Sequence, residues 1–257
     1  LLKNSSNPIY RFFYILIIVT LLIGLYFSYT RAAWLTMFGG LIVYLLYTYR
    51  IKLKWLIYIS VLPIIFFIFN FKEISYVLNK NDAEHTTEDF SERLESMSNV
   101  STDASNLERL NRWNSAIELF KERPFFGWGP GTYAFVYAPY QDASDLTIIS
   151  TNFGDGGNAH SEYLGPLSEQ GVLGFFAIFA IVFAFFYYSG IYYIKSTINY
   201  NKGITLMIIV SLATYFSHGI LNNYLDTDKA SVLVWGLISL FICISSSELL
   251  QKKENVN

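Results

Sequence analysis

Residues 157–174 read GNAHSEYLGPLSEQGVLG, and the chain continues from them into FFAIFAIVFAFFYY over residues 175–188. The second stretch contains no charged residue and has the character of a membrane-spanning helix, since a hydrocarbon core of about 30 Å needs roughly 20 apolar residues. His160 stands shortly before this span, among small and polar residues. The stretch therefore predicts a helix that enters a membrane, with a titratable side chain at its mouth.

Apolar blocks of this kind recur in both halves of the chain. Its 257 residues are 53% hydrophobic and only 15% charged, whereas soluble domains carry about 25% charged residues. The blocks have the length of membrane spans, and the sequence therefore predicts an all-α polytopic membrane protein. Six transmembrane helices are expected, at about residues 9–27, 32–49, 53–71, 172–194, 204–222 and 230–247.

Basic residues near the ends of these spans indicate the orientation. If the spans alternate, most of these residues fall on one side, which the positive-inside rule makes cytoplasmic: Arg50, Lys52, Lys54, Lys195, Lys202, Lys252 and Lys253. Residues 1–71 then form three spans, 72–166 a large extracytoplasmic loop, and 167–257 three more spans with a short cytoplasmic tail. The first residue is leucine, and we expect this chain to be the C-terminal part of a longer protein.

The predicted loop contains one amphipathic helix, at about residues 106–123. Pro124 should end it, because the residue before a proline disfavours the helical region. An aromatic-flanked turn with three glycines follows, in PFFGWGPGTY. Apolar side chains repeat at steps of three and four residues, as in a helix that lies on a membrane or roofs a bundle: Leu107, Leu110, Trp113, Ile117 and Phe120.

Three arginines on the extracytoplasmic side are candidate ligands for an anion. Arg31 lies between the first two spans, against the positive-inside bias, and it either has a function or snorkels to lipid phosphate. On the loop helix, Arg109 borders the apolar stripe and Arg112 should point further away, so Arg109 is the better candidate to face a cavity. The alternative is a solvated face with ordinary helical charge pairs. Residues 72–166 carry seven basic and fifteen acidic side chains, so a phosphate substrate needs arginines aimed at it.

His160 is the candidate for proton transfer. A neutral imidazole can accept a proton from a hydroxyl near neutral pH, and an interfacial histidine bonded to the backbone is the alternative. Pro166 should break the chain between this histidine and the span, so that HSEYLG forms a separate short element. Asp226 and Asp228 have the spacing of a metal-binding motif, but an N-cap for the last span is favoured. A single cysteine, Cys243, excludes an intramolecular disulfide and a cysteine-based metal site.

Three of these stretches carry a resemblance. SYTRAAW looks like a motif of small residues and an arginine at the start of a span, and RLNRWNSAIELFKERPFFGWGPGTY resembles a pattern of arginine, tryptophan four residues later, proline and a Gly-x-Gly turn. HSEYLGPLSEQGVLG matches a histidine followed by Asn, Ser or Gln and then by two glycines, here His160, Ser161, Gly171 and Gly174. In this order and spacing the stretches resemble the O-antigen ligase and O-antigen polymerase family, bacterial membrane glycosyltransferases that act on undecaprenyl-diphosphate-linked glycans.

The resemblance implies a GT-C-like fold and a site that uses no metal or other cofactor. Two arginines of the family hold the donor diphosphate and a histidine serves the acceptor hydroxyl; carried over, these are Arg31, Arg109 and His160. Supporting roles are expected for Arg112, Ser161, Gly171 and Gly174. The two glycines would let the span begin close against a neighbour, which brings the histidine towards the first arginine.

The resemblance also implies partners and location. The donor would be an undecaprenyl-diphosphate-linked glycan and the acceptor a glycan or lipid A-core, in the bacterial inner membrane with the site facing the periplasm, among membrane lipids and without nucleic acid. Polymerisation of a surface polysaccharide is favoured over ligation and over protein O-oligosaccharide transfer, because it requires no particular acceptor. A transporter is the alternative class, but it should place ionisable residues near mid-membrane, and the predicted spans have almost none there. A purely structural membrane protein leaves the two arginines and the histidine unexplained.

Overall fold

The computed structural model describes residues 7–28, 30–50, 104–147, 150 and 156–254. Within these residues the chain forms seven α-helices and no strand: α1 (Pro8–Phe27), α2 (Arg31–Thr48), α3 (Ala104–Glu122), α4 (Tyr133–Val136), α5 (Leu164–Lys195), α6 (Asn199–His218) and α7 (Asp228–Glu254). Two short 3₁₀ turns follow α4, at Ala138–Tyr140 and Ala143–Asp145. The predicted all-α class is confirmed for this part of the chain.

Three of these helices are long and apolar enough to cross a membrane: α1, α5 and, over Asp228–Leu250, α7. A shorter apolar helix, Ala32–Thr48, lies within α2, and α6 coincides with most of the predicted fifth span. The predicted span at 53–71 lies outside the described residues, so the full set of six spans stays a prediction. No residue of α1 is buried against the described part of the chain.

Helix α6 lies at the centre of the described helices. Helices α2, α5 and α7 all pack against it, and its residues Ile209 and Leu212 are fully buried in an apolar core. Phe185 of α5 and Phe241 of α7 complete that core, with their rings edge to face at a centroid distance of 5.7 Å. Helix α3 packs on α5 instead, which makes α5 the link between the core and the loop elements.

Helix α3 covers most of the helix predicted at about residues 106–123, and it ends before Pro124. The apolar stripe is not its most buried face, since Ile117 of the stripe is exposed. Small and polar side chains are buried instead: Asn111, Ser115 and Ala116, followed one turn later by Leu119. They let loop segments approach closely and satisfy their backbone groups. Asn111, for example, accepts a hydrogen bond from the Asp142 amide at 2.7 Å and donates to its carbonyl at 3.1 Å.

Helix α5 is broken at Gly171, not at Pro166. Gly171 has φ +68° and ψ −160°, which lie outside the helical region. Pro166 is accommodated in the first turn, where backbone N–H groups have no intrahelical partner in any case. The prediction that a break separates His160 from the span is therefore right in kind and wrong in position. Residues 164–170 form a short helical segment ahead of the break.

The glycine-rich turn of residues 124–131 is hydrogen-bonded to α5 on both sides of the break. The Val172 amide donates to the Pro124 carbonyl at 2.8 Å, and the Gly129 amide donates to the Glu169 carbonyl at 2.7 Å. Carbonyls near a helix break lose their intrahelical donors and need other partners. The turn supplies these partners, so the loop and the start of the span are held together by backbone bonds.

The two glycines of α5 make these contacts possible. A Cβ at Gly171 would lie 2.4 Å from the carbonyl carbon of Phe125, and a Cβ at Gly174 would lie 2.3 Å from the Cβ of Gln170. At these glycines the span begins close against a neighbouring part of the chain, which is not a second span. Their neighbours are the turn and the short helical segment ahead of the break, because the chain folds back on itself here.

Candidate functional site

His160 lies just before α5 in the left-handed backbone region, with φ +47°. Few non-glycine residues adopt this conformation, although histidine does so more often than most. Its amide donates to Asn158 Oδ1 at 3.0 Å, and its carbonyl accepts from Trp113 Nε1 at 3.2 Å. Within the described part of the chain, the imidazole ring itself has no hydrogen-bond partner, so its nitrogens are available to a ligand.

The surroundings of His160 disfavour its charged form. Burial lowers the pKa of His160, and the guanidinium groups of Arg112 and Arg109 lower it further, to about 4, while the Glu108 carboxylate acts in the opposite direction. The ring is therefore neutral at physiological pH, and the neutral form is the one that accepts a proton. Because both arginines act on the ring, the three side chains lie in one part of the structure.

Arg112 is only 5% exposed, because the buried face of α3 is not the apolar stripe from which this side chain is predicted to point away. Its Nε donates to Glu108 Oε1 at 2.5 Å and its Nη1 donates to the Asn158 carbonyl at 3.2 Å. The guanidinium also lies over the Tyr137 ring, 4.9 Å from its centroid. A Cβ at Gly157 would lie 1.9 Å from Nη1. Arg112 can be buried because an acid one turn earlier and a loop carbonyl compensate its charge.

Arg109 is half-buried and more exposed than Arg112. Its Nε donates to the Leu221 carbonyl in the loop after α6, and its Nη1 donates to Asn106 Oδ1, both at 3.3 Å. Arg109 therefore joins α3 to the end of α6. Its greater exposure leaves it better placed than Arg112 to reach a ligand.

Arg31 is the first residue of α2, in line with an arginine at the start of a span. The backbone of Ala32 lies beside the His218 ring at the end of α6. The loop after α6 also reaches the segment that carries the candidate histidine, since Asn158 Nδ2 donates to the Asn223 carbonyl at 3.1 Å. The start of α2 and that segment thus meet at the same end of α6.

Ser161 is buried between the candidate histidine and α5. Its hydroxyl accepts hydrogen bonds from the amides of Tyr163 and Leu164, at 3.3 and 3.4 Å. These amides open the helix and have no intrahelical acceptor. The contribution of Ser161 is therefore to order the turn from which α5 begins.

Glu162 was not predicted from the sequence, yet its carboxylate is closely bound at the site. The residue is 4% exposed, and its Oε1 accepts from the Tyr215 hydroxyl at 2.6 Å and from the amides of Tyr224 and Leu225 at 2.7 and 2.8 Å. Burial raises the pKa of Glu162, and these three donors act against that rise. Its own amide donates to the Gly219 carbonyl at 2.7 Å. The residue is thus fastened to α6 and to the loop that follows.

Glu108 is a second acid whose role the sequence does not reveal. One carboxylate oxygen pairs with Arg112 and the other accepts from the Ser150 hydroxyl. Glu108 and Glu162 also have partners 42 and 53 positions away, which no local pattern indicates. Two signals are available in the sequence: the i,i+4 spacing of Glu108 and Arg112, and the position of Glu162 beside an apolar span, where an acid needs buried partners.

No group of three or more metal-ligating side chains occurs among the residues that the structure describes. The expectation that the site uses no metal stays a prediction. Helix α7 begins at Asp228, so Asp228 is the first helical residue and not the N-cap. A negative charge in the first turn still interacts favourably with the helix dipole.

The sequence model of the O-antigen ligase family matches residues 16–179, more than half of the chain. The protein is therefore an integral membrane protein and belongs to the O-antigen ligase family. A Haemophilus influenzae protein described only as uncharacterized is 23% identical over 137 residues, which cover 52% of this chain and 33% of that protein. This chain thus matches about a third of the length of that relative. No solved structure matches it.

Glu162→Ala should strongly destabilise the site. It removes the acceptor of three donors, and a buried group left without a partner costs about 1–3 kcal/mol. Thermal unfolding of the detergent-solubilised protein should show a lower midpoint, and proteolysis within residues 219–227 should become faster. Glu118→Ala is the matched control, because Glu118 forms an exposed pair with Lys121 and such pairs contribute about 0–1 kcal/mol. Equal midpoints for the two variants would contradict the anchoring role of Glu162.

Proposed function

We propose that this protein is a membrane glycosyltransferase that moves a glycan from an undecaprenyl-diphosphate-linked donor to an acceptor hydroxyl. The observation that carries the proposal is the position of His160, whose amide binds the side chain of Asn158 while Arg112 binds the carbonyl of the same residue. Membership of the O-antigen ligase family supports the reaction class. The donor lipid stays in the membrane while the acceptor arrives from water, which accounts for a titratable group where a span begins.

In the proposed reaction, the acceptor oxygen attacks the anomeric carbon of the donor glycan. A carbon–oxygen bond forms to the acceptor, the bond between the anomeric carbon and the diphosphate oxygen breaks, and its electron pair leaves with undecaprenyl diphosphate. His160 takes the hydroxyl proton. Arg31 and Arg109 stabilise the charge that develops on the diphosphate. Arg112 does not bind the donor, since Glu108 compensates its charge. It holds the loop before His160 through the Asn158 carbonyl.

Donor binding should strengthen the base. Without donor, burial and, to a smaller extent, the guanidinium groups of Arg112 and Arg109 keep the pKa of His160 at about 4. A bound diphosphate brings opposite charge to the same place, and opposite charges favour the protonated ring. The pKa of His160 therefore rises towards its ordinary value when the donor is present, and the imidazole becomes a more effective acceptor of the hydroxyl proton.

Polymerisation of a surface polysaccharide remains the favoured version of this function, with ligation to lipid A-core and protein O-oligosaccharide transfer as alternatives. A transporter is less well supported, because the Asp, Glu, Lys and Arg residues of α1, α5 and α7 lie near the helix ends. We place the protein in the bacterial cytoplasmic membrane with the site facing outwards. The basic connections on the other side support this orientation.

Arg31→Lys and Arg109→Lys should each lower transfer and donor affinity by roughly 10- to 100-fold. Lysine presents a point charge in place of a bidentate fork, and a hydrogen bond to a charged group contributes about 1.5–3 kcal/mol. Arg112→Lys should instead lower the thermal midpoint first, because it disrupts the buried contacts with Glu108 and Asn158. The measurements are transfer in reconstituted vesicles, donor binding and thermal unfolding.

These three variants also separate two explanations of anion binding. A defined diphosphate clamp predicts that donor affinity falls mainly in the Arg31 and Arg109 variants. An equal loss of donor affinity in all three, with unchanged thermal midpoints, would indicate general electrostatic attraction and would contradict the clamp.

His160→Ala should lower turnover by about 10²- to 10⁴-fold, the range expected for loss of a general base, while donor binding is retained. Ser161→Ala is the control and should cost far less, since only two long hydrogen bonds are lost. In the wild type, kcat/KM should rise through the pKa of donor-free His160, at about pH 4, because only the neutral ring accepts a proton. The rise in kcat should lie at higher pH, because bound diphosphate raises that pKa.

Donor binding and turnover must be measured separately for this variant. If His160→Ala keeps near-normal turnover, the histidine is structural. If it loses donor binding together with activity, the histidine is a donor ligand. Either result would exclude the role of general base.

A further inference from the structure

A groove between α5 and α7 lies at the end of α5 opposite to the proposed site. The two helices run parallel, because Phe185 contacts Phe241 and, further along both helices, the Tyr192 hydroxyl donates to Glu248 at 2.5 Å. The helices enclose a cavity of about 670 Å³, within the usual size of ligand sites of roughly 300–1,000 Å³.

The walls of this groove are apolar over most of its length. Ile181 and Phe185 of α5 face Ile238, Phe241 and Ile242 of α7. Both helices are long and apolar enough to cross a membrane, so at this depth the surrounding medium is lipid. An apolar groove in that position fits a hydrocarbon chain.

The length of the groove matches one leaflet. From Ile181 to Lys195, a helix rise of 1.5 Å per residue gives about 21 Å. A bilayer is about 40–45 Å thick including its headgroups, so one leaflet measures about 20–22 Å. The groove therefore extends from near mid-membrane to the headgroup level, where Lys195 and Ser196 line its end.

One acidic and one basic side chain, Glu248 and Lys195, lie at the polar end of the groove. Glu248 is 3% exposed and accepts from the Ser196 hydroxyl at 2.7 Å and the Thr197 amide at 3.3 Å, in addition to Tyr192. These bonds fix the turn after α5 against α7. Lys195 is exposed, and its ammonium forms no ion pair or hydrogen bond within the described ranges.

We propose that this groove binds one anionic glycerophospholipid, with an acyl chain between α5 and α7 and its phosphate at Lys195. Lys195 belongs to the basic end of the spans, which the positive-inside rule predicts to be cytoplasmic. Anionic headgroups attract lysines at that surface. The bound lipid would hold the far ends of α5 and α7 together, and this site is separate from the donor and acceptor site around His160.

Native mass spectrometry of the purified full chain, with phosphatidylglycerol added, tests the proposal. The wild type should retain one lipid per protein at low lipid concentration. Ala184→Phe fills the groove, since Ala184 lines it, and Lys195→Gln removes the cation without altering the apolar walls. Each should weaken retention by at least about tenfold, the equivalent of 1.4 kcal/mol. Ala180→Phe is the matched control, because Ala180 is exposed on the same helix and does not line the groove.

The other outcomes overturn the proposal. Lipid bound without saturation at one molecule, and equally in all variants, would indicate annular lipid only. Equal affinity for phosphatidylcholine and phosphatidylglycerol would remove the role of Lys195 as a site for an anionic lipid. Cross-linking of Ile242→Cys to a cysteine placed within residues 53–71 in all molecules would show that the chain itself fills the groove.

Discussion

The buried carboxylate of Glu162 is the interaction on which the proposed site depends. An acid at this depth is costly unless it is bound by donors, and Tyr215 of α6 and two amides of the following loop bind it. This contact fixes the segment that carries His160 against α6. The same loop supplies the carbonyl of Leu221 to Arg109. A residue with no proposed chemical role therefore holds the segment of the candidate base against the same loop that binds Arg109.

Two arginines on α3 contribute to the electrostatics of the site in different ways. Arg112 is buried and paired with Glu108, and it orders the loop before His160 through the Asn158 carbonyl. Arg109 is more exposed and makes longer bonds. Burial lowers the pKa of the imidazole and both arginines lower it further, so the site holds a neutral base next to positive charge. That combination suits a reaction in which a hydroxyl loses a proton while an anion departs.

Helix α5 joins the two ends of the described structure. Its break at Gly171 would be unfavourable in hydrocarbon, where every backbone polar group needs a partner. The glycine-rich turn satisfies the carbonyls there, and the span proper begins only after the break. At the other end, Lys195 and Glu248 mark the level of the opposite headgroups under the predicted topology. One helix thus connects the proposed transfer site with the proposed lipid groove.

The sequence by itself determined the class of protein and the identity of the family, and it predicted a helix at about residues 106–123. These depend on local apolar periodicity, on proline and glycine chemistry and on spacing within short motifs. It also indicated Arg31, Arg109 and His160 as candidates, a choice that remains a prediction. Only the tertiary structure decided that Arg112 is buried, that α5 breaks at Gly171 and that Glu162 anchors the site. Each of these depends on hydrogen-bond partners that are distant in the chain and that only packing brings close. Those partners set the free energy of burying a charge or of breaking a helix.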